Sequence, residues 1–258
     1  MVCAMSDPQW DVRWFDEIDS TNTYLRDQAR SGAPEGLVAV ADFQTAGRGR
    51  FDRRWESPRG ANLLASVLLR PACAADDLHL CTGAVAMAAA DACHAESGAE
   101  VALKWPNDLV VGDRKLAGVL GEAEFTRRRL DAVVVGVGIN VAWPGPDEAR
   151  GTCLDELPGV AAPVDRRSLL DRLLASLTTR RGLLDDRAGR RALTVEIRSR
   201  CATIGTEVKV RMAHDEVLGR ATAIDDDGRL VVETATGPVH LTTGDVVHLR
   251  QVPGGGPP

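Results

Sequence analysis

The sequence predicts an α+β fold: a mixed, largely antiparallel sheet with flanking helices, followed by a small β-barrel. Three observations carry that prediction. Four apolar pieces between residues 101 and 143 are separated by short breaks, which favours antiparallel neighbours. Two long segments, residues 76–96 and 166–184, have helical patterns able to cover a sheet. After Cys201 the chain changes character, and about fifty residues break into short strands.

The first helix is read in "DSTNTYLRDQARSGAPEG" (residues 19–36), where Asp19, Ser20 and Thr21 all suit a cap and Gly-Ala-Pro stops the helix. "LVAVADFQT" (residues 37–45) is apolar and β-branched, a strand that leads straight into a loop rich in arginine and glycine. "NLLASVLLR" (residues 62–70) reads as the next strand, and the alanine-rich stretch at 76–96 as a long buried helix. The four pieces "VALKW", "LVV", "KLAGVLGEAEF" and "DAVVVGVGINVAW" follow, with tight turns expected at 112–114 and 126–129. Between 166 and 184, Leu169, Leu170, Leu173, Leu174 and Leu177 fall on one helical face, and a further helix ends near Arg200. "TEVKVRM", "VLGRATAI", "RLVVETA", "PVHLTT" and "DVVHLR" are the short strands, with "DDDG" at 225–228 as a hairpin turn. These readings divide the chain into a large unit at 1–201, a small barrel at 202–252 and a disordered tail, "PGGGPP", at 253–258.

Composition narrows the classes of function. The chain has 258 residues, 44% hydrophobic and 26% charged, as an ordinary globular protein does. No apolar run nears the roughly 20 residues needed to cross a bilayer, and the N-terminus lacks the layout of a signal peptide. The expected location is therefore the cytoplasm, with no membrane partner. Six scattered cysteines form no C-x-x-C pair, so neither a zinc site nor a disulfide framework is suggested. A net charge of −6 argues against a general nucleic-acid binder.

Against that acidic balance, "QTAGRGRFDRRWESPRG" (residues 44–60) holds five arginines and two acids. The chain has no P-loop motif, and "GVGINV" fails the dinucleotide fingerprint because Val141 stands at the third small position. What fits the loop is backbone that glycine lets close on a ligand, with guanidiniums that fork onto phosphate or carboxylate. A solvated charged face is the plainer alternative. In "KWPNDL" (residues 104–109) a lysine ends a strand, proline stops it, and Asn107 and Asp108 form a turn. A lysine so placed can enter a cleft and stabilise an oxyanion or phosphate; an ordinary strand end is the alternative. Lys115 and Gly118 in "GDRKLAGVLGE" and Asn140 in "GIN" are unremarkable singly.

Taken in order, "DSTN", "QTAGRGR" with its following tryptophan and "GANL", "KWPNDL", "KLAGVLGE" and "GIN" resemble the biotin protein ligases. The resemblance covers roughly residues 19–143, and the tail from 201 to 250 is similar to that family's small SH3-like barrel. It implies a catalytic domain like those of class II aminoacyl-tRNA synthetases and lipoate ligases. It also implies the family's two half-reactions: biotin and Mg-ATP give biotinyl-5′-AMP and pyrophosphate, and a lysine of a carboxylase's biotin carrier domain then attacks the mixed anhydride. Biotin and ATP are the implied substrates, with Mg2+, and the carrier domain of an acyl-CoA carboxylase is the implied partner.

Carried over residue by residue, the resemblance assigns Ser20, Thr21, Asn22 and Gln44 to biotin's ureido end, where hydroxyls and amides suit an uncharged urea. Arg48, Gly49 and Arg50 match the loop over biotin and the adenylate, and Gly118 joins the biotin set. Trp55 matches a tryptophan that packs over the intermediate. Lys104 matches the lysine between the biotin carboxylate and the α-phosphate, and is with Arg50 the expected catalytic pair. Asn107 and Asn140 match amides at the adenine end, and Lys115 a phosphate contact. Some members carry another arginine after "GRGR" where this chain has Phe51, and Arg53 is the available substitute. Asp108 is a candidate for magnesium, with the metal ligands otherwise unassigned. Because "DSTN" begins at Asp19, the reading expects no N-terminal helix-turn-helix and no sequence-specific DNA. A lipoate ligase and a noncatalytic nucleotide or carrier-protein binder are the alternatives. The loop at 46–60 is expected to be mobile without ligand and to order over the adenylate.

Overall fold

The computed structural model describes residues 10–126, 129–146, 150–160, 163–212 and 215–249. Seven strands make the larger sheet: β1 (Asp11–Phe15), β2 (Leu37–Ala41), β3 (Leu63–Leu69), β4 (Ala102–Lys104), β5 (Asp108–Val111), β6 (Arg114–Thr126) and β7 (Arg129–Ile139). Their order is β1-β2-β3-β7-β6-β5-β4. Only β1 and β2 run parallel; the other five neighbouring pairs are antiparallel. The mixed, largely antiparallel sheet is thus as predicted.

β1 is the strand that sequence reading leaves out. It lies at the sheet edge, its five residues alternate between half-buried and exposed, and it carries no fully buried residue. Its pairing with β2 is made across helix α1 (Thr21–Arg30), so no local turn announces it. Of the three possible caps, Ser20 is the one used: its backbone is extended and its hydroxyl accepts from the Thr23 N–H. β2 stops at Ala41, four residues before the predicted end, because Asp42 to Thr45 already belong to the loop.

Helix α2 (Leu78–Ser97) is buried on nearly every side, as its alanine-rich sequence requires, and ends at Gly98 in the left-handed region (φ 68°). It packs on β6 and β7 and on α3 (Arg166–Leu183), while α4 (Arg187–Ser199) lies against both helices. α1 covers the opposite face of the sheet. The result is three layers, with α1 alone on one side and α2, α3 and α4 on the other. No described helix is long and apolar enough to cross a membrane.

The second sheet has five strands: β8 (Glu207–Arg211), β9 (Glu216–Ile224), β10 (Leu230–Thr234), β11 (Gly237–Leu241) and β12 (Asp245–His248), ordered β11-β10-β9-β8-β12 and antiparallel throughout. Among the described residues no pairing joins β11 to β12, so the predicted barrel is present as its five strands without a closing ladder. The two sheets share one core: Val208, Val210 and Leu230 belong to the same apolar cluster as Leu103, Trp105 and the strands of the larger sheet. Part of the expected turn at 126–129, and the whole tail at 253–258, fall outside the described residues.

Candidate functional site

Side chains along a strand point alternately to the two faces of a sheet. Val67, Val133 and Val135 therefore face α2, while Leu68, Ala132 and Val134 face α1. Register continues that second row beyond the end of α1. Ser66 opposes Gly136, which opposes Leu120; Leu64 opposes Gly138, which opposes Gly118. Past the helix, the row is small and becomes the floor of a cavity.

The glycines are small because something lies on them. A Cβ at Gly138 would stand 2.4 Å from the Trp55 ring, and one at Gly118 would stand 2.8 Å from it. A Cβ at Gly136 would stand 2.3 Å from the Asn22 Oδ1. Trp55 thus lies on two strands at once, with Lys115 Nζ 5.4 Å from its ring centre. Its indole N–H is buried and has no partner among the described residues.

The arginine loop is folded as a hairpin. Gly49 N–H donates to the Arg53 carbonyl at 2.8 Å and Trp55 N–H to the Gly47 carbonyl at 3.0 Å. Phe51 and Asp52 turn it with consecutive positive φ (55° and 57°), a conformation costing non-glycine residues roughly 1–2 kcal/mol each. The guanidiniums of Arg50 and Arg53 flank the Phe51 ring at 4.6 and 5.7 Å. The smaller sheet holds the loop's other side: Arg50 donates to the Thr243 hydroxyl and, at 3.3 Å, to the Gly244 carbonyl, and Arg53 pairs with Asp245. Burial pulls the Arg50 pKa below its ordinary value, partly offset by Asp245 and Asp108; the group stays protonated.

Between these walls lies a cavity of about 530 Å3. Every site residue expected from sequence lines it except Asn140. One end is polar and uncharged, made by Ser20, Thr21 and Gln44; Thr21 donates through its N–H and its hydroxyl to Gln44 Oε1, at 2.8 and 3.1 Å. Seven Lys and Arg side chains line the cavity against two carboxylates among the described residues, in a chain whose overall charge is −6. Asp108 is paired with Lys115 at 2.6 Å, and Asp245 with Arg53. Lys104 has no carboxylate partner among the described residues, and its charge adds to burial in drawing the His248 pKa below its ordinary value. Asn107 is fixed to β6, its N–H2 donating to the Val119 carbonyl at 2.7 Å while its oxygen accepts from Arg50 at 3.1 Å. The Trp105–Pro106 peptide between Lys104 and Asn107 is cis.

Two expected residues are differently employed. Asn22 lines the cavity, yet its oxygen accepts from Ser66 at 2.6 Å and its N–H2 donates to Glu122 and the Leu120 carbonyl. Asn140 is buried away from the cavity: its N–H2 faces the carbonyls of Lys115, Pro144 and Thr152, and its oxygen accepts from Asn62. There it fixes the chain that follows β7. Among the described residues no group of three or more His, Cys, Asp or Glu side chains could hold a metal ion. Sequence reading missed Ser66 and Glu122, and it gave no residue to the wall made by Arg211, Gly244, Asp245 and Val246. Local signals for that wall are absent, because strand pairing and loop closure bring it in from 150 residues or more away in the chain.

Known proteins resemble the chain along nearly its whole length. Residues 14–140 match the biotin/lipoate A/B protein ligase family, and residues 203–249 match the biotin protein ligase C-terminal domain. A biotin–[acetyl-CoA-carboxylase] ligase of Mycobacterium tuberculosis is 39% identical over 241 residues, covering 91% of this chain and 87% of that one. One of Paracoccus denitrificans is 32% identical, covering 85% and 92%. Among solved structures, the biotin protein ligase of Aquifex aeolicus in complex with biotin and ATP superposes with a TM-score of 0.76 at 27% identity, covering 93% of this chain and 99% of that one.

Proposed function

The chain belongs to the biotin/lipoate A/B protein ligase family, and from that membership we propose that it is an ATP-dependent biotin protein ligase. It joins biotin to AMP and passes the biotinyl group to a lysine of a carboxylase carrier domain. Relatives and solved neighbours are biotin ligases, and the C-terminal match is to a biotin ligase domain, so lipoate is not the favoured acid. One observation carries the reading: a single cavity has an uncharged polar end and a strongly cationic remainder that contains a lysine with no carboxylate partner among the described residues.

The division suits the substrates. Ser20, Thr21 and Gln44 offer donors and acceptors without charge, as a urea ring requires. Arg48, Gly49 and Gly118 border the path from that end toward the cations, and Asn22 shapes it from behind. In the first half-reaction a carboxylate oxygen of biotin bonds to the α-phosphorus, and the bond to the pyrophosphate oxygen breaks. Two anions must meet, and negative charge gathers on the phosphoryl oxygens. Lys104 and Arg50 are placed to offset both, Lys104 because no carboxylate among the described residues neutralises it. Arg53 and Lys115 supply further positive charge to the phosphates, each having a carboxylate partner to exchange for them. Trp55 and Asn107 stand where they can border the nucleotide, whereas Asn140 supports that end through the chain it pins. Magnesium enters as part of Mg-ATP and shields the phosphates; the paired state of Asp108 fits a metal carried by phosphate oxygens and water. In the second half-reaction the acceptor amine attacks the acyl carbon, a C–N bond forms, and AMP leaves.

The cytoplasm is the proposed setting: the five described cysteines are free thiols, the state that compartment maintains. The proposed protein partner is the carrier domain, and the acidic balance gives no support to sequence-specific DNA as another. The proposed division into a unit at 1–201 and a smaller one at 202–252 follows the two sheets, with the cavity between them. Incubation with biotin, Mg-ATP and a carrier domain tests the reading. Biotin-dependent pyrophosphate release and a one-biotin gain in carrier mass are expected; a response to lipoate and none to biotin refutes it.

A further inference from the structure

α1 carries Asn22, Arg26 and Arg30 four residues apart, so all three lie on one helical face. That face meets Glu122 and Glu124 of β6, two residues apart and therefore also on one face. Glu122 joins this contact to the cavity. One carboxylate oxygen accepts from Arg26 at 2.8 Å and pairs with Arg48 at 2.9 Å; the other accepts the Asn22 amide at 2.8 Å. Its side chain is only 14% exposed, so little water competes for it. Register places it one step along the row from Leu120, which lines the cavity, and directly opposite Val134, which lies under α1.

The contacts run on from one to the next. Arg48 forms an ion pair with Glu122, Glu122 accepts from Asn22, Asn22 accepts the single O–H of Ser66, and the Thr21 hydroxyl lies 2.7 Å from the Ser66 oxygen, with the Thr21 N–H donating to Gln44. Charge along the contact balances: Arg26, Arg30 and Arg48 face Glu122, Glu124 and, beside Arg30, Asp27. Arg48 is the charged member that lines the cavity, and it meets Glu122 through one end of its guanidinium.

We propose that Glu122 is a positioning residue for the ligation reaction: it sets the Arg48 guanidinium and the Asn22 amide together, and so holds the biotin end of the cavity in its binding shape. Glu122 touches no substrate in this account and acts through Arg48. The inference rests on the biotin ligase reading. Loss of its charge frees Arg48 on an exposed loop, while the amide oxygen of a glutamine there can still accept from Asn22, so biotin binds less well while bound biotin still reacts.

The test is a double-mutant cycle on the full chain with Glu122→Gln, Arg48→Gln and both together, read by pyrophosphate release at varied biotin. Glu122→Gln should raise the KM for biotin on the order of tenfold, as the loss of one partly buried ion pair would, and change kcat less than twofold. The double variant should lose little beyond Arg48→Gln alone, because the two changes break one interaction. Glu124→Gln, which removes partners of Arg26 and Arg30 but none of Arg48, should leave that KM within twofold. Additive effects on KM, or an equal fall in kcat, overturn the proposal. If Glu122→Gln does not fold, as judged by its thermal transition, the same cycle is run with Glu122→Asp, whose shorter reach cannot serve both partners. A wild-type protein without biotin-dependent pyrophosphate release overturns the biotin ligase reading instead.

Discussion

Gly136→Ala should be among the most damaging single-methyl additions to this chain, and the structure gives its size. The new Cβ would stand 2.3 Å from Asn22 Oδ1 and 3.0 Å from its Cγ. Ordinary contact begins near 3.4 Å, so the amide must retreat by about 1 Å. It has nowhere to retreat: Asn22 is 4% exposed, and its oxygen is held by Ser66 at 2.6 Å. Overpacking of this kind costs about 1–3 kcal/mol, and the Ser66 bond adds about 1 kcal/mol. Together they give about 2–4 kcal/mol, or a fall in thermal midpoint of roughly 4–15 °C for a protein of this size. The shift should also raise the biotin KM, since Asn22 is tied to Thr21 through Ser66. Gly182→Ala is the matched control: it lies on the exposed side of the last turn of α3 with nothing within 4 Å of its Cβ. There the same methyl should be neutral or stabilise by up to about 1 kcal/mol. Calorimetry of both variants decides the point. If Gly136→Ala melts within 1 °C of wild type with an unchanged KM, the packing argument is wrong.

Lys104→Ala should lower kcat for adenylate formation by about 10²- to 10³-fold with little change in thermal midpoint; a loss below fivefold in the pyrophosphate assay would remove Lys104 from the chemistry. Asn140→Ala should leave the KM for ATP within twofold yet lower the thermal midpoint, because three backbone carbonyls and the Asn62 amide lose their shared partner. Acid should weaken the fold through two histidines. Burial holds His248 and His79 below their free value of 6.5, the Lys104 charge adding to the effect at His248 and nearby acids opposing it at His79. Below about pH 6.5 the unfolded chain therefore binds more protons than the folded one, so stability is full above that pH and falls toward pH 5. Urea midpoints at pH 7.5 and 5.5 should differ less in His248→Gln than in wild type; equal differences would exclude His248 as a cause.

Legibility in the sequence followed the range of the cause. The leucines of α3 and the reversals between β5, β6 and β7 are set by neighbours within a few residues, and these read correctly, while the cap of α1 was narrowed to three candidates of which Ser20 is the one used. β1 did not, because its strand partner among the described residues lies across a helix and its alternation is shallow. At the site, the motif residues came out together because the motifs meet at the cavity, where "DSTN" opens α1, the arginine loop follows β2, "KWPND" ends β4 and "KLAG" starts β6. Asn140 shows the limit of motif reading. Its place in the motif is right, but burial behind β7 turns its amide toward backbone carbonyls. Glu122 was invisible for the opposite reason. Nothing distinguishes a glutamate in "KLAGVLGEAEF" until β6 is laid beside α1, when the four-residue spacing of one matches the two-residue spacing of the other.

The arginine loop shows how an acidic chain can make a cationic site. Its guanidiniums do not stand free: Arg48 is anchored to β6 through Glu122, Arg50 to Asn107 and the β11–β12 connection, and Arg53 to Asp245. Each anchor lies on a different element, so the loop is positioned only when α1, both sheets and the turn after Lys104 are all in place. Anchoring also conserves charge, because a guanidinium held by one oxygen keeps most of its N–H groups for a ligand. The same logic explains the glycine floor. Side chains at 118, 136 and 138 would lift Trp55 and Asn22 off the sheet and break the anchors from below. The polar and cationic parts of the cavity thus depend on one strand row, which is polar at Ser66, glycine under Trp55 and Asn22, and charged at Glu122 between the cavity and the helix.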